Sequence, residues 1–477
     1  MTKKIEDVYS NGKWSEGQGE AFESLCPATG ESVWQGHAAS ADQVKEAVAK
    51  ARAAQPKWAA TQREARIRIL EKYAEALKSK TEEIAYAISR DMGKPLWEAR
   101  TEVGAMAGKI GHSIRAQAER AGDKVDGGLS LTHRPHGVMA VFGPFNFPGH
   151  LPNGHIIPAF LAGNTCVFKP SELTPAVAAL MVAAFEEAGL PEGCLNVIQG
   201  GRETGQALLN ADINGLLFTG SATTGTAFHK HFAGRPNVIL ALEMGGNNPL
   251  IMWDGEVQAA ADIAFFSAFI TAGQRCTCAR RLILPEGKFG DDIISAIKTR
   301  MDQITIGKWD EDVFMGPVVS KRSAQMAEEF QSELIKAGGE AIIPVKTNGA
   351  FVHPGLIEMT GASGVADEEL FGPLLQVYRA KDFDEAIAKA NDTRFGLSGG
   401  LVSEDSGLWE QASLRMRAGI LNWNKPTTGA ASSLPFGGPG LSGNFRSGAY
   451  YAADYCAWPQ AGQVANTPSS PAMVGMK

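Results

Sequence analysis

The sequence contains few cysteines and no motif typical of a metal site. Only six of its 477 residues are cysteine, which is too sparse for a disulfide framework and fits a reducing cytosol. Cys276 and Cys278 are separated by one residue, and no second cysteine pair completes a zinc site. The nine histidines show no His-Glu-x-x-His spacing. We therefore expect a cytoplasmic protein without a metal.

The sequence also lacks a strong excess of charge and any long apolar run. The formal net charge is −7, whereas nucleic-acid-binding proteins usually have a basic surface. The N-terminus has no apolar segment typical of a signal peptide, and no stretch is long and apolar enough to span a bilayer. We expect neither a nucleic-acid partner nor a membrane partner. A chain of this length instead supports two or three domains with a large core.

The pattern of apolar residues predicts an α/β protein. Residues 1 to about 40 have the short strands and turns of a surface arm. Residues 41–120 have helical periodicity, and we assign their charged residues to solvated helix faces. Apolar strands and helices then alternate over about 138–242 and again over 250–423. Such alternation predicts parallel sheets covered by helices on both faces.

Changes in composition mark the predicted domain boundaries. Two glycines and two asparagines interrupt the periodicity at 244–249, so we place a boundary there. Further along, residues 430–443 are rich in Gly, Ser and Pro and are predicted to form a loop, followed by an edge strand within 450–458 and a loose tail. The predicted domains are residues 1–245, 246–430 and 431–477.

Three residues are candidates for covalent catalysis. Cys276 follows Gly-Gln-Arg in a predicted loop or helix start, where a thiol pKa can be lowered, although free cysteines are more often buried apolar residues. Glu243 directly follows five apolar residues, where an unused carboxylate would be out of place. Asn146 lies between two aromatic residues on a loop that prolines constrain, and it could donate from its amide. A thiol and a base brought together could attack a substrate and then hydrolyse the product.

Two turns that follow apolar strands are candidates for a nucleotide site. Residues 220–225 open a helix, whose N-terminal N–H groups could hold a phosphate, but the Gly-x-Gly-x-x-Gly fingerprint is absent and an ordinary turn is the alternative. Lys169 and Glu172 could bind ribose hydroxyls, and the carboxylate would favour NAD over NADP; a solvated turn is again the alternative. The residues of the first turn are Gly220, Ser221, Ala222, Thr223, Thr224 and Gly225.

Together these motifs resemble the NAD(P)-dependent aldehyde dehydrogenase superfamily over nearly the whole chain. Seven motifs occur in the order typical of that family, which makes a chance match improbable. They are Phe-Asn-Phe-Pro (145–148), Phe-Lys-Pro-Ser-Glu (168–172), Phe-Thr-Gly-Ser (218–221), Leu-Glu-Met-Gly-Gly (242–246), Gly-Gln-Arg-Cys (273–276), Glu-Glu-Leu-Phe-Gly-Pro (368–373) and Pro-Phe-Gly-Gly-Pro-Gly-Leu-Ser-Gly (435–443).

The resemblance implies an aldehyde-dehydrogenase-like fold with two doubly wound parallel-sheet domains. Residues 1–245 would form a modified Rossmann domain that binds NAD, and residues 246–430 would form the catalytic domain. A hairpin near 121–137 and the strand within 450–458 would build a small oligomerisation β-element. We therefore expect a homodimer or homotetramer.

The resemblance also implies roles for the catalytic candidates. Cys276 would attack an aldehyde substrate to give a thiohemiacetal, and hydride transfer to NAD would leave a thioester. The Asn146 amide and the backbone N–H of Cys276 would hold the oxyanion. Glu243 would activate the water that cleaves the thioester.

The remaining motif residues would bind NAD. Glu369 would hold the nicotinamide ribose, and Phe371 would pack near it. Lys169 and Glu172 would bind the adenosine ribose. The turn at 220–225 would hold the pyrophosphate.

Within the superfamily, the sequence most resembles the branch that oxidises succinylglutamate semialdehyde in bacterial arginine catabolism. The resemblance is carried by residues 142–155, 220–225 and 242–249 and by Gly-Gln-Arg-Cys-Thr-Cys-Ala-Arg-Arg from residue 273. Asn247 and His155 stand where the family more often has lysine, and both substitutions recur in this branch.

A substrate with two carboxylates requires cations or N–H donors in its pocket. Candidates for these groups are Arg275, Arg280, Lys425 and Arg446, with Ser432 and Ser433 as neutral donors. For each of them, a structural salt bridge is an equally good interpretation.

Three alternative functions remain open. One is the same oxidation of another semialdehyde, such as succinate semialdehyde. Another is a coenzyme A-acylating reaction, which Glu243 disfavours, and the third is a catalytically silent binding protein.

Overall fold

Two seven-stranded sheets, one from each half of the chain, organise the computed structural model, which describes residues 6–476. In chain order, the first half contains β1 (Val8–Ser10), β2 (Lys13–Ser15), β3 (Ala21–Leu25), β4 (Ser32–His37), α1 (Ala41–Ala60), α2 (Arg63–Ser79), α3 (Thr81–Met92), α4 (Leu96–Arg120), β5 (Lys124–Asp126), β6 (Leu129–Pro135), β7 (Val138–Phe142), α5 (His150–Ala162), β8 (Thr165–Lys169), α6 (Pro175–Glu187), β9 (Leu195–Ile198), α7 (Arg202–Asn210), β10 (Gly215–Gly220), α8 (Ala222–His231) and β11 (Ile239–Met244).

The second half begins directly after β11. It contains β12 (Asn248–Met252), α9 (Val257–Phe269), β13 (Ala279–Pro285), α10 (Lys288–Asp302), α11 (Lys321–Lys336), β14 (Glu340–Ile343), β15 (Lys346–Asn348), β16 (Phe351–His353), β17 (Gly355–Glu358), β18 (Leu374–Ala380), α12 (Phe383–Asn391), β19 (Ser398–Val402), α13 (Ser406–Arg415), β20 (Ile420–Trp423), β21 (Pro435–Phe436), β22 (Gly448–Ala449), α14 (Ala452–Tyr455) and β23 (Ala457–Gln463), with short 3₁₀ turns at Ile270–Gly273 and Gly440–Ser442.

The first sheet has the strand order β11-β10-β7-β8-β9-β1-β2. Its five strands from β11 to β9 are parallel, as alternating strands and helices predict. Both faces are covered, because Val138, Ala140 and Phe142 of β7 lie in one apolar cluster while Met139 and Val141 lie in another. This arrangement confirms the predicted α/β class.

The second sheet has the order β14-β17-β18-β13-β12-β19-β20. Its strands from β17 to β20 are parallel, and only β14 is antiparallel. Leu250 and Leu282 face one apolar cluster, whereas Ile251 and Ile283 face another. The chain passes from the first sheet to the second within residues 245–247, inside the predicted boundary region.

The structure corrects the expected surface arm. Strand β1 pairs with β9 in the first sheet, antiparallel to it, and Val8 and Tyr9 are only 3% and 6% exposed. Short strands separated by turns gave no sign of burial, because their partner lies far along the chain. Residues 1–5 of that arm lie outside the described residues.

The structure of helix α4 contradicts the expectation that the charged residues within 41–120 lie on solvated helix faces. Its buried face includes Glu98, Glu102 and Lys109, and Lys94 just before it is also buried. These charged residues are spaced so that they share a helix face with Val103 and other apolar residues. The prediction of solvated charges is therefore wrong for this face of α4.

The C-terminal region differs from the expected strand within 450–458. Helix α14 occupies the first part, and the strand β23 begins only at Ala457. Strand β23 pairs antiparallel with β6, which also pairs with β5, to give a separate three-stranded sheet. The predicted loop at 430–443 contains β21 and a 3₁₀ turn. The short strands β14–β17 were not expected at all.

No helix within residues 6–476 is both long and apolar enough to cross a bilayer.

Candidate active site

The register of the first sheet brings the predicted motifs to one edge. Lys169 at the end of β8 is paired with Phe142 of β7, and Phe142 is paired with Phe218 of β10. Phe218 is paired with Leu242 of β11, so Glu243 lies in the next row. Ligands of doubly wound sheets bind beyond this carboxyl edge. Residues that are far apart in sequence therefore end in one region.

The loop that carries Cys276 has an unusual backbone. After α9, Thr271 and Ala272 have φ values of 57° and 52°, in the left-handed region that non-glycine residues rarely adopt. Gly273 follows with φ of 69°, and a Cβ there would lie 2.3 Å from the backbone oxygen of Gly372. Only glycine fits this close approach. The loop is thus folded tightly against the 368–373 motif.

Arg280 holds this loop from behind. Its Nη1 donates to the backbone oxygen of Gly273 (2.7 Å), and its Nη2 donates to that of Arg275 (3.1 Å). The same Nη2 donates to Glu369 Oε1 at 3.3 Å. The guanidinium also lies over the ring of Phe371, 5.5 Å from its centroid. One buried cation therefore links the Cys276 loop to two residues predicted to bind the cofactor.

Two asparagine side chains fix the loop from the other side. Asn146 Nδ2 donates to the backbone oxygen of Gln274 at 3.0 Å. Asn248 Nδ2 donates to the backbone oxygen of Cys276 at 2.7 Å. An amide nitrogen carries two hydrogens, so one hydrogen of Asn146 Nδ2 is not used by this contact.

Glu243 is buried near the end of β11, and its carboxylate accepts no hydrogen bond among the described residues. A Cβ on Gly448 would lie 1.5 Å from its Oε1, so the glycine makes room for the carboxylate. Burial raises the pKa of Glu243 to about 7, and the nearby positive charge of Lys109 partly opposes the shift. A carboxyl group with this pKa can exchange a proton at neutral pH.

Cys276 and Glu243 line the same cavity, which has a volume of about 230 Å³. Phe147, Leu151 and Phe436 give it apolar walls. The structure thus brings together the thiol and the carboxylate that the sequence could only pair by resemblance. Polar side chains in its lining include Lys109, His150, Arg275 and Ser432.

The thiol of Cys276 is protonated at neutral pH. Burial raises its pKa, the carboxylates of Glu369 and Glu243 add to this shift, and Arg280 opposes it. The thiolate is the reactive form, so the proton must leave before attack. Glu243 lies in the same cavity and is a suitable proton acceptor.

A second cleft lies beside the first residues of α8. Ser221 and Thr223 line one side, and Glu369 lines the other. Ser221 caps the helix, since its Oγ accepts from the N–H of Thr224 at 3.2 Å. A Cβ on Gly245 would lie 1.6 Å from Glu369 Oε2, so this glycine allows the carboxylate to reach its place. The cleft offers a helix N-terminus and a carboxylate to one ligand.

The remaining residues of this turn have structural contacts. Gly225 packs so closely on β11 that a Cβ would lie 2.2 Å from the sulfur of Met244. Gly220 ends β10, and Ala222 and Thr224 lie in the first turn of α8. These contacts hold the start of α8 against the sheet edge.

Lys169 and Glu172 lie at the end of β8. Lys169 Nζ donates to the backbone oxygens of Pro170 (2.9 Å) and Gly200 (2.7 Å) and lies 3.5 Å from Glu172 Oε2. Glu172 is half-exposed and open to a ligand. Phe371, which was predicted to pack near the nicotinamide, contacts Phe145 edge-on at 5.7 Å.

A buried ion pair that the sequence analysis missed supports the Asn146 loop. Lys94 Nζ lies 2.9 Å from Glu102 Oε2 and donates to the backbone oxygen of Asn146 at 2.8 Å. Glu102 Oε1 accepts from the N–H groups of Gly149 (3.0 Å) and His150 (3.2 Å), which begin α5. The helical spacing of Glu98, Glu102 and Lys109 with buried apolar residues was the signal that could have found this layer.

Only part of the proposed set of carboxylate-binding residues lines the cavity. Arg275 does, with its guanidinium held by Glu98 at 2.9 Å, and so does Ser432. Arg280 is engaged behind the loop, and Lys425 and Arg446 are exposed outside the lining. Lys109 also lines the cavity, although the sequence pattern predicts that the charged residues of its helix are solvated.

The two departures from the family pattern have defined partners. His155 lies between Thr219 Oγ1 (3.1 Å) and the hydroxyl of Tyr455 (3.0 Å). Burial, with the charge of Lys109, lowers the pKa of His155 to about 3, so it is neutral. Asn247 Nδ2 donates to Asp367 Oδ1 at 2.9 Å. Neither substitution removes a reacting group.

Comparison with known proteins identifies the family. The model of the aldehyde dehydrogenase family matches residues 14–460, which is nearly the whole chain. The chain belongs to the aldehyde dehydrogenase family.

Several known proteins are similar to this aldehyde dehydrogenase. It is 54% identical over 466 residues to N-succinylglutamate 5-semialdehyde dehydrogenase 2 of Caulobacter vibrioides, with 95% of each chain covered. It is 53% identical over 465 residues to the N-succinylglutamate 5-semialdehyde dehydrogenase of Salmonella heidelberg, covering 95% of this chain and 94% of that one. The crystal structure of an NAD-dependent aldehyde dehydrogenase from Sinorhizobium meliloti matches with a TM-score of 0.91 at 28% identity, over 98% of this chain and 96% of that one. The predicted family and fold are confirmed.

Alkylation should distinguish Cys276 from the other cysteines. All six lie in the described residues, and the other five are buried whereas Cys276 is partly exposed. We expect iodoacetamide to modify Cys276 first, at a rate that rises from about pH 7 to about pH 9 because the thiolate reacts. Peptide mass spectrometry over time measures the rates, with Cys276→Ala as the control. Equal modification of Cys278 in the native protein would contradict the described burial.

Proposed function

We propose that this aldehyde dehydrogenase oxidises N-succinylglutamate 5-semialdehyde to N-succinylglutamate with NAD, as a step in arginine catabolism. Two relatives of that name are more than half identical to it over nearly their whole length. The observation that carries the chemistry is the shared cavity of Cys276 and Glu243. A thiol nucleophile and a titratable carboxylate suffice for covalent attack and for hydrolysis.

The first step is attack of Cys276 on the aldehyde carbon. Glu243 takes the thiol proton, and the sulfur forms a thiohemiacetal whose oxygen becomes negatively charged. The free hydrogen of the Asn146 amide and the backbone N–H of Cys276 stabilise this oxygen. The contact of Asn146 with Gln274 keeps this donor beside the loop.

Bound NAD would supply the hydride acceptor that conversion of the thiohemiacetal into a thioester requires. The cleft between Ser221 and Glu369 fits such a cofactor, because a helix N-terminus suits a pyrophosphate and a carboxylate suits ribose hydroxyls. We propose that Phe371 packs near the nicotinamide and that the half-exposed Glu172 binds the adenosine ribose. The negative charge of Glu172 favours NAD over NADP, since it repels a 2′-phosphate.

The second role of Glu243 is to release the product. Once the thiol proton has passed from Glu243 to solvent, its carboxylate takes a proton from a water molecule. The water oxygen attacks the thioester carbon, the C–S bond breaks, and Cys276 leaves as the thiolate. Its pKa of about 7 keeps it partly ionised at neutral pH. Removal of the base should therefore leave the acyl-enzyme trapped.

Glu243→Gln should slow turnover by roughly 10²–10⁴-fold. The glutamine cannot accept a proton from the Cys276 thiol or from the water that cleaves the thioester. We expect stopped-flow absorbance to show at most one equivalent of NADH per active site before the slow phase. Cys276→Ala should give no NADH, and Glu71→Gln, at an exposed helix position, serves as the matched control. Full turnover by Glu243→Gln would exclude its role as the base.

The pH dependence follows from the raised pKa of Glu243. The base acts as the carboxylate, so kcat/KM should fall as the pH decreases through about 7, where the group becomes protonated. A rate profile across this range measures the apparent pKa. An inflection near the ordinary glutamate value would contradict the effect of burial.

Substrate identity is tested by initial rates with succinylglutamate semialdehyde and succinate semialdehyde, each with NAD and NADP. We expect the first aldehyde with NAD to give the highest kcat/KM, and Glu172→Gln to improve the use of NADP. Adding coenzyme A should not change the acid product, because Glu243 favours hydrolysis. Preference for succinate semialdehyde would support the alternative substrate.

We further propose a cytoplasmic homodimer or homotetramer. The three-stranded sheet of β5, β6 and β23 has open edges, and it exposes Leu129 (61%) and Trp458 (42%). Exposed strand edges and apolar side chains are typical of association surfaces.

Sedimentation should give a mass of at least twice the 50.7 kDa of one chain. We expect Leu129→Glu with Trp458→Glu to lower this mass, because charges would be buried at the interface. Leu414→Glu, at an 86% exposed position of α13, is the matched control. A monomeric wild-type protein would exclude the assembly.

A further inference from the structure

Lys109 is a buried lysine that lines the cavity of Cys276 and Glu243. It is 3% exposed and lies on α4, facing α5. A Cβ on Gly154 of α5 would lie 4.0 Å from Lys109 Nζ and 3.8 Å from its Cε. The end of the Lys109 side chain therefore lies beside α5, at ordinary van der Waals distance from position 154.

The ammonium group of Lys109 has no partner in the described residues 6–476. It forms no hydrogen bond and no ion pair there, although Glu243 acts on it through space. Burial lowers the pKa of Lys109 to about 8, so the group is still mainly charged at neutral pH. A buried charge without a partner is costly to the folded protein. Such a group usually has a functional partner that binds from outside.

The other charged groups around Lys109 are already engaged or neutral. Glu102 is paired with Lys94, and Arg275 is held by Glu98. His150 is neutral, because burial and the nearby lysines lower its pKa to about 3. The raised pKa of Glu243 reduces its negative charge as well. Lys109 is therefore the cation of the cavity lining that has no bonded carboxylate among the described residues.

We propose that Lys109 binds a carboxylate of the substrate and so determines the preference for an anionic aldehyde. This rests on the proposed function, in which the substrate has two carboxylates. Arg275, whose Nη1 has no hydrogen-bond partner among the described residues, is placed to bind the other. The aldehyde end then lies toward Cys276, which lines the same cavity.

A positioning role beside Glu243 is the competing explanation for Lys109. His155 stands where the family more often has lysine, and it is neutral, so Lys109 could supply a positive charge for the base. That role would affect every aldehyde equally and would shift the pH profile. A substrate-binding role affects only aldehydes that carry a carboxylate.

The test compares succinylglutamate semialdehyde with butanal, an uncharged aldehyde, in wild type, Lys109→Met and Lys109→Arg. We expect Lys109→Met to raise KM for the charged aldehyde. The ratio of kcat/KM for the charged over the uncharged aldehyde should fall about 10- to 100-fold, the effect of losing one charge-assisted hydrogen bond. Lys109→Arg should recover part of this ratio. Lys72→Met, at an exposed position on α2, is the matched control.

An equal loss with both aldehydes, together with a shifted pH profile, would overturn the proposal in favour of the positioning role. If the wild type does not prefer the charged aldehyde, the proposed function fails, and inhibition of butanal oxidation by succinate decides the role of Lys109. A raised inhibition constant in Lys109→Met would then support carboxylate binding. An unchanged constant would overturn it.

Discussion

The arrangement of the site depends on the guanidinium of Arg280. It donates to the backbone of the Cys276 loop and to Glu369, and it lies over Phe371. A planar group with five donors suits this role, because it can bind several acceptors in fixed directions. The left-handed turn before Cys276 is strained, and these contacts hold it. The proposed nucleophile Cys276 and the predicted ribose-binding carboxylate Glu369 therefore keep fixed positions relative to each other, although they come from two parts of the chain.

Glycines set the positions of two carboxylates, the buried Glu243 and the largely shielded Glu369, whose side chain is 12% exposed. Gly448 leaves space for Glu243, and Gly245 leaves space for Glu369. Any side chain at either glycine would overlap a carboxylate oxygen. Gly448 thus confines Glu243 from a distant part of the chain. Gly245, which lies in the segment that joins the two sheets, confines Glu369. Removal from bulk solvent raises the pKa of both groups.

Helix α4 supplies a layer of charge beneath the cavity. Within it, Glu102 is satisfied by Lys94 and by the N–H groups that begin α5. Lys109 is left without such partners in the described residues. Burial of paired charges is tolerated when all their hydrogen bonds are made. Lys94 and Glu102 therefore have a structural role, whereas Lys109 is the residue that we propose binds a ligand.

The sequence by itself determined the family, the α/β class and most strands and helices. Apolar periodicity and the seven motifs are patterns of residues that lie close together in the sequence, so they need no knowledge of distant contacts. It also indicated Cys276, Glu243 and Asn146 as a set, through resemblance. Only the tertiary structure decided that β1 joins the first sheet, that α4 buries its charges and that Lys109 reaches the cavity. Each of these depends on a partner far along the chain, and periodicity carries no information about that partner. A buried charge and a solvated one have the same sequence pattern, and packing alone distinguishes them.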